Sequence, residues 1–77
     1  MYFGLDRLPI GETASILEVN GTESDTRRLL ELGFAPGGKV EALFESPWGD
    51  PVAYAVRGAV VALRRRDAGT VLVNFAE

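Results

Sequence analysis

The chain has 77 residues, 47% of them hydrophobic, with a formal net charge of −3 and neither cysteine nor histidine. A chain of this length makes one small domain (1–77) that buries only about 60% of the surface it would expose unfolded, so its net stability is modest, on the order of 5 kcal/mol, with little margin for a solvent-filled catalytic cavity. The apolar share excludes disorder, the missing thiols favour a reducing compartment and most simply the cytoplasm, and the acidic balance weighs against nucleic acid and anionic membrane as partners.

Met1 to Arg7 has no basic region followed by an apolar run, so a signal peptide is not expected, and no stretch reaches the ~20 apolar residues of a membrane helix. A soluble intracellular chain starting at its own methionine is the expectation. Leu5 and Leu8 are spaced to pack inward from a single helical turn, which Pro9-Ile10-Gly11 stops. Glu12 to Asn20 is the first strand. Its apolar residues change phase, Ala14 and Ile16 in one and Leu17 and Val19 in the other, which requires either a bulge near Ile16 or burial of both faces. Asn20-Gly21 is a turn, and a short helix follows over Thr26–Leu32 with Leu29 and Leu32 on its inward face. Ser24 is the preferred N-cap, and Thr22 with Asp25 three residues on is the alternative. Gly33 closes the helix in the left-handed conformation, with Phe34 folding back onto the leucines.

Ala35-Pro36-Gly37-Gly38 turns the chain into a second strand, Lys39–Ser46. Val40, Ala42 and Phe44 share one face there and Glu41 and Glu45 the other, with Leu43 as the exception on the polar side. Pro47 to Pro51 is an irregular loop. Val52, Tyr54 and Val56 then alternate with Ala53, Ala55 and Arg57, Gly58 supplies a tight reversal, and Val61 and Leu63 resume the pattern. Arg64 to Gly69 forms a polar connection to a last strand with Val71, Val73 and Phe75 in phase, after which Asn74 to Glu77 adds little. Three strands so close together must be neighbours in an antiparallel sheet. The count is five strands with one short α-helix between the first and second. That economy implies a mainly β fold, a small five-stranded SH3-like barrel, with an OB-like barrel as the competitor.

The residue inventory argues against catalysis. No histidine can serve a nucleophilic triad, Lys39 is the one lysine, and the carboxylates fall in turns or at outward phases. Zinc and similar metals prefer imidazole and thiolate, which are absent, so neither a metal site nor a cofactor is expected. No glycine cluster precedes a helix in the manner of a phosphate cradle. The candidates that remain are partner-binding residues. Trp48 in its proline-glycine loop is either packed over a barrel end or exposed as an anchor, and the run Arg64-Arg65-Arg66 is either a solvated strand end or a dock for an acidic partner, with Arg57 across the hairpin from it.

Arg28-Leu-Leu-Glu-Leu-Gly33-Phe-Ala-Pro-Gly37 before a valine-bearing strand resembles the helix-turn of the FeoA family, the small ferrous iron transport proteins A. Pro47, Gly49-Asp50-Pro51-Val52, Val56-Arg57-Gly58, Ala62-Leu63-Arg64, Asp67-Ala68 and Val71-Leu-Val73 follow the rest of its pattern, and Leu5 to Gly11 its opening turn. The resemblance covers the whole chain and implies an SH3-like fold. It also implies an accessory role in ferrous iron uptake, through protein–protein binding at the cytosolic side of the iron permease FeoB, whose soluble domain is a GTPase. On that reading Trp48, Arg57, Arg64 and Arg65 are the expected contact residues. A stand-alone relative of the C-terminal domains of iron-dependent repressors is the alternative, and a small RNA-binding barrel a third. The open edges of a small barrel also allow a homodimer.

Overall fold

The computed structural model describes residues 1–76. Its strands are β1 (Phe3–Gly4), β2 (Thr13–Val19), β3 (Lys39–Glu45), β4 (Val52–Val56), β5 (Ala59–Leu63) and β6 (Val71–Phe75), with helices α1 (Glu23–Leu32) and α2 (Arg65–Ala68) and a 3-10 turn at Leu5–Arg7. All pair antiparallel in one curled sheet of order β1-β6-β2-β3-β4-β5. Of the last three strands only β4 and β5 are neighbours. β6, expected beside β5, crosses over to pair with β1 and β2, because the turn α2 intervenes and carries the chain away from the β5 edge. The sequence pattern missed β1. Two residues are too few to show alternation, yet Phe3 and Gly4 pair with Val73 and Leu72, and the Phe3 ring packs 4.9 Å from that of Phe75. The chain's end therefore does matter: Ala76 N–H also donates to Thr13 O at 3.0 Å, while Glu77 lies outside the described residues.

Two bulges bend the sheet. The β2–β6 register slips between Ile16 and Glu18, which decides the phase change of β2 in favour of a bulge: Ala14 and Ile16 face the core, Leu17 turns out, and Val19 returns to pack against the core's margin. The β3–β4 register slips between Ala42 and Phe44. Simple alternation put Phe44 inside with Val40 and Ala42. The extra residue instead turns Phe44 outward, 60% exposed, and moves Glu45 off the face of Glu41 to stand opposite inward-facing Val52. Phe75, expected inward with Val71 and Val73, is also largely exposed at the end of β6.

Helix α1 starts three residues earlier than its composition suggested. Its N-cap is Thr22, not Ser24, because the Thr22 hydroxyl accepts from Asp25 N–H at 3.2 Å and Thr22 O from Thr26 N–H at 2.8 Å. Gly33 ends it at φ 113, and Phe34 N–H reaches back to Leu29 O at 3.0 Å, as a left-handed glycine stop requires. Leu29 is fully buried, but Leu32 is not its core partner; Leu30 and Leu32 are both partly exposed. The polar connection after β5 holds the single turn α2, whose Ala68 is buried.

The core joins Leu5, Leu8, Ala14, Ile16, Leu29, Phe34, Val40, Val52, Tyr54, Val56, Leu63, Val71 and Val73. Tyr54 is its largest member. Its ring meets that of Phe34 edge-on at 6.4 Å, and its hydroxyl donates to Leu5 O at 3.4 Å, tying β4 to the 3-10 turn. Burial pushes the Tyr54 hydroxyl from 10.0 up to about 12, against a lowering influence from Arg65 and with smaller upward contributions from Asp6 and Asp50. The folded state therefore holds this proton more tightly than the unfolded chain does. The stabilisation is present in full below pH 10 and is lost as pH rises toward 12, by about 2–3 kcal/mol in all. Urea titrations across that range should show a steep alkaline loss of stability that Tyr54→Phe removes. Equal alkaline sensitivity in the variant would refute the assignment.

Candidate functional site

The β3–β4 loop is built to present Trp48. Ser46 N–H donates to Pro51 O at 3.0 Å and its hydroxyl to the same oxygen at 2.9 Å, so the strand ends are clamped below the loop. Gly49 N–H closes a turn onto Ser46 O at 2.7 Å, with Gly49 at φ 86, a conformation open to glycine at no steric cost. The Asp50–Pro51 peptide is cis. Trp48 occupies the outer corner of this turn and is 93% exposed. The two placements open to it from sequence thus resolve to solvent. A fully exposed indole on a fixed loop forgoes about 2–3 kcal/mol of burial that the domain could have used.

Arg65 holds that loop in place. Its Nε donates to Gly49 O at 2.6 Å, Nη1 to Asp6 O at 2.9 Å and Nη2 to Glu45 Oε2 at 3.2 Å, while its backbone N–H donates to Asp50 Oδ1 at 2.9 Å. A planar guanidinium can serve three acceptors at once; lysine could not reproduce that fork. Of the four residues singled out in the sequence, Arg65 is thus engaged within the domain, and these contacts are positioning ones. Arg64 stands beside it with a more exposed side chain, in a loose 3.9 Å pair with Asp50 that contributes little to stability.

Arg57 is not across the hairpin from this group. In the β4–β5 register Val56 pairs with Ala59 at the turn and Val52 with Leu63 at the far end, so Arg57 and Arg64 flank opposite ends of β5. Arg57 and Gly58 form a two-residue reversal with φ 51 and φ 80. Such turns favour asparagine or glycine at the first position, and a left-handed arginine costs on the order of 1 kcal/mol. Its stem lies over Gly33, where a Cβ would come within 3.1 Å of Arg57 Cδ. Trp48, Arg64 and Arg65 therefore gather at one end of the sheet, and Arg57 stands alone at the other.

Beside that turn runs a groove of about 200 Å³ lined by Thr13, Lys39, Val40, Glu41, Ala55, Val56, Arg57 and Gly58. It falls short of the roughly 300–1,000 Å³ of small-ligand sites. Among the described residues no three histidine, cysteine, aspartate or glutamate side chains converge on one point. The described residues instead present an open surface on which Trp48 and Phe44 are exposed. Sequence reasoning missed Phe44 as part of that surface, and only the bulge after Ala42 exposes it.

Residues 3–74 match the FeoA domain family. The chain is 36% identical over 71 residues, 92% of its length, to an Fe(2+) transport protein A/Fe(2+) transporter FeoB fusion protein of Porphyromonas gingivalis, of which it spans only 8%. It is 32% identical to the FeoA of Stenotrophomonas maltophilia, a prokaryotic SH3 domain protein solved in complex with zinc, at TM-score 0.82 over 92% of this chain and 88% of that one. A manganese-dependent transcriptional repressor contains the same fold at 16% identity, TM-score 0.85, covering 97% of this chain and 42% of the repressor. The SH3-like architecture expected from the strand count is thus borne out, with a sixth strand added.

Trp48 is the one tryptophan in the chain, so its fluorescence reports the loop alone. Arg65→Met keeps the apolar stem and removes all three side-chain hydrogen bonds. It should cost about 1.5–3 kcal/mol in urea unfolding followed by circular dichroism, and native-state Trp48 anisotropy should fall as the loop loosens. Unchanged anisotropy would show that the loop does not depend on Arg65.

Proposed function

The chain belongs to the FeoA family, a family of ferrous iron transport, and on that footing we propose that it is an accessory protein of iron uptake. It binds the cytosolic side of a FeoB-type permease and works as a binding module rather than as an enzyme. The observation that carries the reading is Trp48, a fully exposed aromatic anchor on a loop fixed by Arg65, beside the charged head of Arg64. Tryptophan and arginine are the residue types that dominate binding energy at protein interfaces.

The Porphyromonas gingivalis relative supports the choice of partner, because there an FeoA part and a FeoB part share one polypeptide. A covalent link raises the effective concentration of one for the other, which is useful where the two must meet. No helix among the described residues is long and apolar enough to cross a membrane, in keeping with a protein that meets the permease at its cytosolic side. The likeness to the repressor is one of fold and supplies no second function.

Titration calorimetry of this chain against the cytosolic domain of the FeoB from the same genome tests the reading. Saturable binding is expected, and Trp48→Ala should weaken it by about 2 kcal/mol, roughly 30-fold. The variant should match the parent in urea midpoint, since the indole makes no core contact. Absence of heat and of any shift in sedimentation at several hundred micromolar would remove the permease as partner.

A further inference from the structure

The strand β5 is paired on one side only. It ends the sheet order, and its register with β4 accounts for a single edge. The two-residue reversal makes Val56 and Ala59 a hydrogen-bonded pair, followed by Tyr54 with Val61 and Val52 with Leu63. The N–H and C=O groups of Val60 and Ala62 therefore point away from β4. No other described segment bonds to them. Edge strands are ordinarily blunted by charges, prolines or bulges, and Ala59-Val-Val-Ala-Leu63 has none of these. Val60 is 65% exposed.

The face beside this edge is apolar as well. Val60 stands opposite Ala55 and Ala62 opposite Ala53, with Phe44 on the far side of Ala53. Ala53 is only 5% exposed although it lies outside the core cluster. On β5 itself charge appears only at the two ends, as Arg57 in the turn and Arg64 past Leu63, and Glu41 follows on the same face one strand beyond Ala55. Arg57 has no ion-pair partner among the described residues, and that of Arg64 is the loose one to Asp50.

We propose that β5 is a strand-addition site for an extended segment of a partner protein, apolar at alternate positions and carrying a carboxylate at each end for Arg57 and Arg64. Main-chain bonds to Val60 and Ala62 supply the register, and the apolar side chains lie along Val60 and Ala62. The two arginines are seven positions apart, so the carboxylates stand roughly 23 Å apart in an extended chain. Charge rules against a second copy in this place. Antiparallel pairing of β5 with itself about Val61 brings the Arg57–Gly58 turn of each copy against the Arg64–Arg65 end of the other, and like charges opposed across strands are destabilising. A left-handed arginine at position 57, where asparagine would be less strained, fits a residue held for its charge. The inference rests on the binding-module reading only in taking the partner to be a protein.

The test is an amide NMR titration of the full chain with the capped peptide Glu-Thr-Val-Thr-Val-Thr-Val-Glu. Saturable shifts centred on Val60 to Ala62 are expected, with hydrogen exchange at the Val60 and Ala62 amides slowed at least ten-fold. Methylating the peptide nitrogens that face β5 should abolish binding, and replacing both glutamates by lysine should weaken it at least ten-fold. Arg57→Asn combined with Arg64→Gln should weaken it at least five-fold without loss of stability. Val60→Pro removes an outward N–H and leaves the ladder to β4 intact, so it should fold and fail to bind. Equal binding by the methylated or the lysine peptide overturns the proposal, as does no shift at millimolar peptide. Concentration-dependent dimers with Val60 and Ala62 already protected would put a second copy in the site and overturn it too. Permease binding that survives Val60→Pro would sink strand addition and leave the accessory role standing; peptide binding without permease binding would do the reverse.

Discussion

The fork of Arg65 is the contact on which the arrangement of the site depends. A six-stranded sheet that ends in β1 and β5 cannot close by ladder hydrogen bonds, because those two edges never meet. Arg65 crosses the gap by another route, with donors to the 3-10 turn at Asp6, the loop at Gly49 and the end of β3 at Glu45. Two of the three acceptors are backbone carbonyls, so position is enforced on the main chain itself. Tyr54 makes a parallel tie from inside, from β4 to Leu5 of the same turn. The closure is thus polar at the rim and apolar beneath it, which suits a domain too small to close by burial alone.

The bulge in β3 links that closure to the outer surface. One extra residue after Ala42 both turns Phe44 into solvent and brings Glu45 round to Arg65. A regular strand would bury the phenylalanine and direct the carboxylate elsewhere. The same irregularity therefore fixes the fork and leaves an apolar face beside β5. Trp48 stands at one end of that face and Arg57 at the other. The chain is devoid of histidine and cysteine, and two hollows among its described residues, of about 200 and 290 Å³, lie below the usual small-ligand range, which leaves this surface as its main chemical asset.

Much was legible from the residues because it is local. Alternation at Val52, Tyr54 and Val56 fixes which side of a strand is apolar, and Gly33 is needed where the chain must take a left-handed turn; neither depends on distant residues. The helix stop and the β4–β5 hairpin follow from such short-range rules, whereas the place of the last strand does not, since β6 pairs with β1 and β2 and not with β5. Nor does local pattern choose the bulge near Ile16 over burial of both faces. The identity of Trp48 as a loop residue was equally plain from the prolines and glycine around it.

The sequence by itself determined the strands that alternate, the turns between them, the absence of imidazole and thiol side chains, and the presence of Trp48 and the arginines as candidate anchors. Only the tertiary structure decided how those residues are used. Arg64 and Arg65 are adjacent and chemically identical in the sequence, yet one is left in solvent while the other meets three acceptors drawn from residues 6, 45 and 49. The opposed positions of Arg57 and Arg64 depend on the hairpin register, and the exposure of Phe44 on a one-residue slip in pairing. The Arg65 fork and the slip at Phe44 share one cause: each is set by where another strand or turn offers a carbonyl, a carboxylate or a strand edge, which the pattern within one strand does not record.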